Sequence, residues 1–273
     1  MNATPARTQP VPRQLRVEPV MGTTVSIDLR GCTAQHARAA TAAVVAWLHE
    51  VDAVFSTFRT RSAISRIARG ETTAARAGGH VPAVLQRCEE LKQATGGWFD
   101  AWANGVLDPS ALVKGWAVEH SAHLLTGHGL TDFCLSAGGD IVCRGQRAPG
   151  LPWRIGIQHP RDRGAVAAVV TAGDLAVATS GCYERGAHIT DPHSRRPPQG
   201  VLSVTVCGPD LGTADAYSTA AFAMGTDGPG WTAGLAGYEA MTVLADDTVH
   251  TTAGFPLLPA TEPATVEPAQ EAR

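Results

Sequence analysis

At 273 residues, 44% of them apolar and 17% charged, the chain is long enough to bury a sizeable core and fits one elaborated domain or a main body with a lobe. Lys and Arg number 22 against 25 Asp and Glu, and a formal net charge of −3 leaves no basic footprint for nucleic acid or a membrane surface. Aromatic residues, at 5%, are too sparse for a platform that stacks single-stranded bases.

In chain order, residues 1–14 are Pro-rich and aperiodic, which predicts a loose arm. This N-terminus has no apolar h-region and no lipobox, and no stretch reaches the ~18 apolar residues of a spanning helix. A cytoplasmic protein without a transmembrane segment is the resulting expectation. Val25, Ile27 and Leu29 alternate with Ser26 and Asp28, the pattern of a half-buried strand. Thr33 is a suitable N-cap for a helix whose face is Ala40, Val44, Trp47, Leu48, Val51 and Phe55. Pro82 opens a second helix, with Val84, Leu85, Cys88 and Leu91 on one face and Gly96-Gly97 as its stop. Asp108 as N-cap and Pro109 at the first position predict a third, with a stripe of Val113, Trp116, Ala117, His120 and Leu124.

Strands are predicted at Phe133–Ser136, Trp153–Ile157, Val166–Thr171, Leu175–Ala178, Val201–Cys207 and Met241–Leu244, with a helix from about Thr213 to Met224. Helices grouped early and strands grouped late favour an α+β fold with mixed or antiparallel sheets over regular βαβ alternation. The main domain is expected over 15–253, and the Pro-rich 254–273 reads as a surface tail. Six cysteines without a C-x-x-C pair (Cys32, Cys88, Cys134, Cys143, Cys182 and Cys207) are expected as buried small hydrophobes.

P-loop, G-x-S-x-G and H-E-x-x-H motifs are absent. Gly228-Pro229-Gly230-Trp231-Thr232-Ala233 fits a dinucleotide fingerprint formally but follows a helix rather than a strand. His120 and His123, at i and i+3 of one helix, read as one packed and one exposed histidine. Four constellations carry more chemistry. Lys114, two turns into its helix, either snorkels or holds an anion. Ser136-Ala137-Gly138-Gly139-Asp140 is either a close backbone approach or a tight turn whose Asp bonds its own backbone. Thr179-Ser180-Gly181 suits a phosphate- or ring-facing loop, and His188 lies in one loop with Asp191. Asp215 and Thr219, at i and i+4 on a face opposite Tyr217, Ala220, Ala221 and Met224, suit a hard cation or a solvated face.

Taken in order, MGTTVSI, FSTFRTRSAISRI, GWFD, LDPSALVKGWAVE, SAGGDI, ATSGCY, HITDP and ADAYSTAAFAMG resemble the FAD:protein FMN transferases, the ApbE family. The resemblance runs from about Val20 to Gly225, and its co-linear order is what makes it specific. It implies an α+β fold with the FAD site between a main body and a smaller lobe. It also implies a Mg²⁺-dependent transferase that cuts FAD and attaches FMN to a Thr or Ser of an acceptor flavoprotein, releasing AMP. Motif by motif, the resemblance places Met21 and Phe58 along the flavin nucleotide and Phe99 and Asp100 in a segment touching FAD. Asp108 and Lys114 fall on the adenosine part or its phosphate side. The metal ligands are the Ala111 carbonyl, Asp215 and Thr219. His188, with Ile189, faces FAD; His188 is the catalytic candidate and Asp191 its reserve.

The sequence departs from the family in several places. His193-Ser194-Arg195 stands where a residue followed by Thr-Gly is usual, which questions the turn and offers Arg195 and Arg196 to a phosphate. Phe58 replaces a common Tyr, and Pro109 an apolar residue. An FAD pyrophosphatase and a non-enzymatic FAD carrier are the alternatives.

Overall fold

A computed structural model describes residues 11–181 and 189–258. Its first hairpin joins β1 (Arg13–Val20) to β2 (Thr23–Arg30) through Met21 and Gly22, both left-handed at φ 55° and 68°, as a two-residue turn matching strand twist requires. Val25, Ile27 and Leu29 are buried, as their alternation predicts. β1 starts inside the segment read as a loose arm; its alternation is written in Arg, Gln and Glu rather than in apolar residues.

Thr33 caps α1 (Ala34–Phe55), accepting the His36 N–H, and the helix buries Ala37, Ala40, Val44, Trp47, Leu48, Val51 and Phe55 along one face. Two short helices, α2 (Ala63–Ala68) and α3 (Ala74–Ala77), lead to α4 (Val81–Ala94), which has Pro82 in its first turn and Val84, Cys88 and Leu91 inside. Next, α5 (Ser110–Gly127) begins one residue later than expected. Pro109 is its cap residue, and the Asp108 carboxylate accepts the Ser110 N–H in a local turn instead of capping the helix. α5 is buried on more than one side because it packs against α1, the sheet and a later helix, so Leu112, Val118, Ala122 and Leu125 are inside along with the predicted Val113 and Ala117.

The strands β3 (Phe133–Ala137), β4 (Asp140–Arg144), β7 (Leu175–Gly181), β8 (Val201–Gly208), β9 (Glu239–Leu244) and β10 (Val249–Thr251) extend the first hairpin into an eight-stranded sheet. Its order is β1-β2-β3-β4-β7-β8-β9-β10. Every described pairing is antiparallel, which settles the mixed-or-antiparallel alternative. β5 (Trp153–Gln158) and β6 (Val166–Ala172) form a separate two-stranded sheet. α6 (Leu211–Ala223) follows β8, capped by Asp210, and the five-residue α7 (Gly228–Thr232) occupies the glycine motif that mimicked a dinucleotide fingerprint.

The two faces of the large sheet carry different layers. Phe133, Leu135, Ala137 and Val142 face the helices in the main core. Cys143, Val177, Cys207, Met241 and Val243 pack with Trp153, Ile155, Ile157 and Val170 in a second core under the small sheet. Part of the predicted tail belongs to this layer: Phe255 is buried there, and Leu258 donates its N–H to the Val169 carbonyl at 2.7 Å. Among the described residues no helix is long and apolar enough to cross a membrane.

Candidate active site

The site is built where α5 meets α6. A Cβ on Gly115 would lie 2.6 Å from the Leu211 carbonyl oxygen, and one on Gly212 would lie 3.2 Å from the Trp116 nitrogen. Two glycines therefore let the helix backbones touch, closer than any pair of side-chain-bearing positions allows. This contact brings Lys114 of α5 within 3.3 Å of the Asp215 carboxylate on α6 and into an ion pair with Asp140, the first residue of β4. Asp140 is 0% exposed and Asp215 4%, so one ammonium serves two buried carboxylates. Charges withdrawn from water this far persist only with partners in place.

Hydroxyl groups continue the cluster. Ser180 Oγ on β7 lies 2.9 Å from Ser218 Oγ and 3.3 Å from Thr219 Oγ1 on α6. Thr179 donates its N–H to Asp140 Oδ1 at 3.3 Å, and its hydroxyl pairs with Thr205 at 2.9 Å. Thr179 and Ser180 are thus strand residues facing α6 and β8, not a free loop. The turns at this end of the sheet abut: a Cβ on Gly138 would stand 2.8 Å from Thr23 Oγ1, beside the Met21–Gly22 turn. Met21 holds φ 55°, a conformation costly for a residue with a long side chain and one that collects at functional sites.

Several expected residues converge here and others stand apart. Lys114, Asp215 and Thr219 share the α5–α6 junction, and Ala111, partly buried, is one turn ahead of Lys114 on α5. Lys114 neither snorkels nor lies free for an anion; its ammonium is turned onto Asp140 and Asp215. Asp215 does not lie on a solvated face, because α6 is buried almost all round, Thr213, Ser218 and Phe222 included. Asp140, for which the sequence left open either a close backbone approach or a turn bonding its own backbone, is the buried partner of Lys114. The only sequence signal for it is a carboxylate directly after a Gly-Gly turn.

Phe58 projects into solvent at 95% exposure, in the segment between α1 and α2. Phe99 is buried and donates its N–H to Thr95 Oγ1 at 3.0 Å, while Asp100 pairs with Lys92 at 2.9 Å. Asp108 is exposed. His188 lies outside the described residues. Ile189 packs against the main core at the start of the following loop.

That loop keeps its turn despite the altered sequence. Asp191 Oδ1 accepts the His193 N–H at 2.8 Å, the Arg195 N–H reaches the Asp191 carbonyl at 2.7 Å, and Arg195 itself is left-handed at φ 59°. Arg195 occupies the position where the family has Gly and adopts the backbone a glycine would. His193 then packs edge-on against Trp98, ring centroids 4.5 Å apart, which joins the loop to the Gly97–Asp100 segment. Partial burial pushes the Asp191 carboxyl up, but hydrogen bonds from Ser194 and the His193 backbone outweigh it and hold the group below the usual range. Asp191 is therefore an ionised turn-former at neutral pH and a weak proton acceptor.

The donors at the α5–α6 junction are all oxygens: carboxylate, hydroxyl and, at Ala111, main-chain carbonyl. Among the described residues no group of three or more His, Cys, Asp or Glu is placed to hold a metal. A cation at this junction has to draw on hydroxyl and carbonyl oxygens, a set that fits a hard ion and not a soft one.

Comparison with known proteins agrees with this architecture. An FAD:protein FMN transferase of Salmonella typhimurium is 36% identical over 130 residues, covering 44% of this chain and 37% of its own length. The corresponding protein of Vibrio cholerae is 37% identical over 131 residues, covering 44% and 39%. The matched stretches thus span well under half of these relatives. The solved structure of the flavin transferase ApbE from Vibrio cholerae superimposes with a TM-score of 0.79 at 25% identity, covering 91% of this chain and 100% of that one. The sequence model of the ApbE family matches residues 21–108 and 103–242, most of the chain, and the chain belongs to that family.

Proposed function

We propose that this chain is a Mg²⁺-dependent transferase that cleaves FAD and joins FMN, through its phosphate, to a Thr or Ser hydroxyl of an acceptor flavoprotein, with AMP leaving. The observation that carries the reading, beyond the family, is the buried junction of Lys114, Asp215 and Thr219 between α5 and α6. Breaking a phosphoanhydride is mainly a matter of neutralising and aligning charged oxygens. Asp215, Thr219 and the Ala111 carbonyl would hold the cation. Bound there, Mg²⁺ would supply neutralisation of phosphate charge.

In this reading Lys114 fixes the Asp215 carboxylate against α5, so the oxygens are set before substrate arrives. The Met21 turn and the Gly138 turn line the mouth of the site, and Phe99 and Asp100 belong to the wall that receives FAD. Phe58, Asp108 and Ile189 remain proposed contacts to the nucleotide, and His188 is the proposed base. His188 takes the acceptor hydroxyl proton as the oxygen attacks the FMN-side phosphorus. Asp191 holds the turn that follows in sequence.

The test is incubation with FAD, magnesium and an acceptor protein, with nucleotides separated by chromatography. AMP should appear mole for mole with flavinylated acceptor, and chelation should stop both. Free FMN in place of labelled acceptor marks a pyrophosphatase, and intact FAD marks a carrier; either outcome overturns the proposal.

A further inference from the structure

Cys134 on β3 and Cys143 on β4 face each other directly in the antiparallel register, with Sγ atoms 3.2 Å apart. We propose that they form a site of oxidative modification, at which a small-molecule disulfide closes an internal cystine across the β3–β4 hairpin. Directly opposed residues of an antiparallel pair have Cα atoms about 4.5 or 5.5 Å apart, and both spacings lie within the roughly 4.4–6.8 Å that a disulfide spans. The two sulfurs need to close only to about 2.0 Å, a movement that side-chain rotation supplies without shifting the strands.

Burial decides which thiol meets the oxidant. Cys134 is partly exposed, whereas Cys143 lies in the second core, on the sheet face turned away from the helices. The Cys134 sulfur attacks one sulfur of the small disulfide, forming a mixed disulfide and releasing one thiol. The Cys143 sulfur then displaces the second thiol, leaving the Cys134–Cys143 bond. The two protein thiol protons end on the two released thiols, so the protein is oxidised by two electrons and the reagent reduced by two.

The pairing is selective among the described cysteines. Cys32, Cys88 and Cys207 are buried with no thiol partner within contact. Burial pushes the Cys88 and Cys207 thiols up to about 12 and raises Cys143 as well, so what sets Cys143 apart is not its acidity but the Cys134 sulfur 3.2 Å away. The inference rests on the β3–β4 register alone and is independent of the flavin reading. Its consequence is local: the bond would staple the strand that begins with Asp140 to its neighbour.

The experiment treats the folded wild-type chain with oxidised glutathione, blocks remaining thiols in acid, and maps the digest by mass spectrometry. The expected product is a linked Cys134–Cys143 peptide, two hydrogens lighter than the reduced pair, which dithiothreitol reverses. In Cys134→Ser the link should be gone and Cys143 recovered as free thiol. A lasting glutathione adduct on Cys134 without the internal bond, linkage of either residue to Cys182, or both thiols recovered free would each overturn the proposal.

Discussion

Lys114 is held between two buried carboxylates. Its ammonium contacts both Asp140 and Asp215, and taking one partner from a buried ion cluster costs about 3–5 kcal/mol because the remaining charge stays out of water. Lys114→Met should lose about that much in urea unfolding, whereas a snorkelling surface lysine would lose well under ~1 kcal/mol. Asp215 behaves differently, since its replacement by Asn leaves Lys114 paired one to one with Asp140. Arg195 presents the opposite case. A left-handed backbone costs a residue with a Cβ about 1–2 kcal/mol, and the added freedom of a glycine in the unfolded chain costs about 0.4–1 kcal/mol. The first effect is the larger, so Arg195→Gly should raise the melting temperature. A fall would mean that the arginine side chain, not the turn, holds the loop.

At the scale of elements, the α5–α6 contact is the feature that positions the chemistry. Helix propensity alone favours Gly115→Ala by about 1 kcal/mol. The new methyl would meet the Leu211 carbonyl at 2.6 Å, and neither helix backbone can yield there, so overpacking at about 1–3 kcal/mol wins. The variant should unfold at lower urea concentration and lose transfer activity together, because the shift separates Lys114 from Asp215. Stabilisation by Ala would show the helices to be further apart.

Between α1 and α5, the His120 ring stacks on Trp47 at 4.1 Å and lies near His80, while His123 is exposed. Burial first, then the charges of His80 and His123, lowers the His120 pKa. A histidine depressed in the fold takes up its proton more readily once unfolded. Stability is therefore full above the unfolded value of about 6.5 and declines as the pH falls below it, down to the folded pKa. Melting curves from pH 7.5 to 5 should show that decline, and His120→Phe should flatten it. An unchanged slope would remove His120 as the cause.

Periodicity revealed α1 and α4 because each buries a single face, and it revealed the strands whose inner positions are Val, Ile and Leu. It did not reveal the faces of α5 and α6, because both helices are buried on more than one side and bury polar residues, Glu119 and Asp215 among them, along with apolar ones. β1 was hidden by charged alternation, β4 by following β3 across only the Gly138-Gly139 turn, and β10, α2, α3 and α7 by their brevity.

For the whole molecule, the same contrast separates what was legible in the site from what was not. Asp215 and Thr219 were visible as a spacing within one helix. Asp140 and Ser180 were singled out within short motifs, but their partners were not, because those lie on α5 and α6, far away in the chain. Lys114 was visible as a residue, but its partners lie on β4 and α6, so no local spacing could disclose them. His188, the proposed base, rests on motif order alone.

If the α5–α6 junction serves the proposed flavin transfer, the intact mass of an acceptor protein reports it after incubation with FAD, magnesium and either the wild-type chain or Asp215→Asn. With wild type the acceptor should gain the mass of one FMN less one water, the difference between FAD and the departing AMP, and an acceptor whose target threonine is alanine should not. Asp215→Asn should melt as wild type does yet transfer about 10²–10³-fold more slowly, the usual worth of one group that stabilises charge in a transition state. An acceptor unchanged in mass with wild type, or labelled at the wild-type rate by Asp215→Asn at saturating FAD and magnesium, would contradict the account.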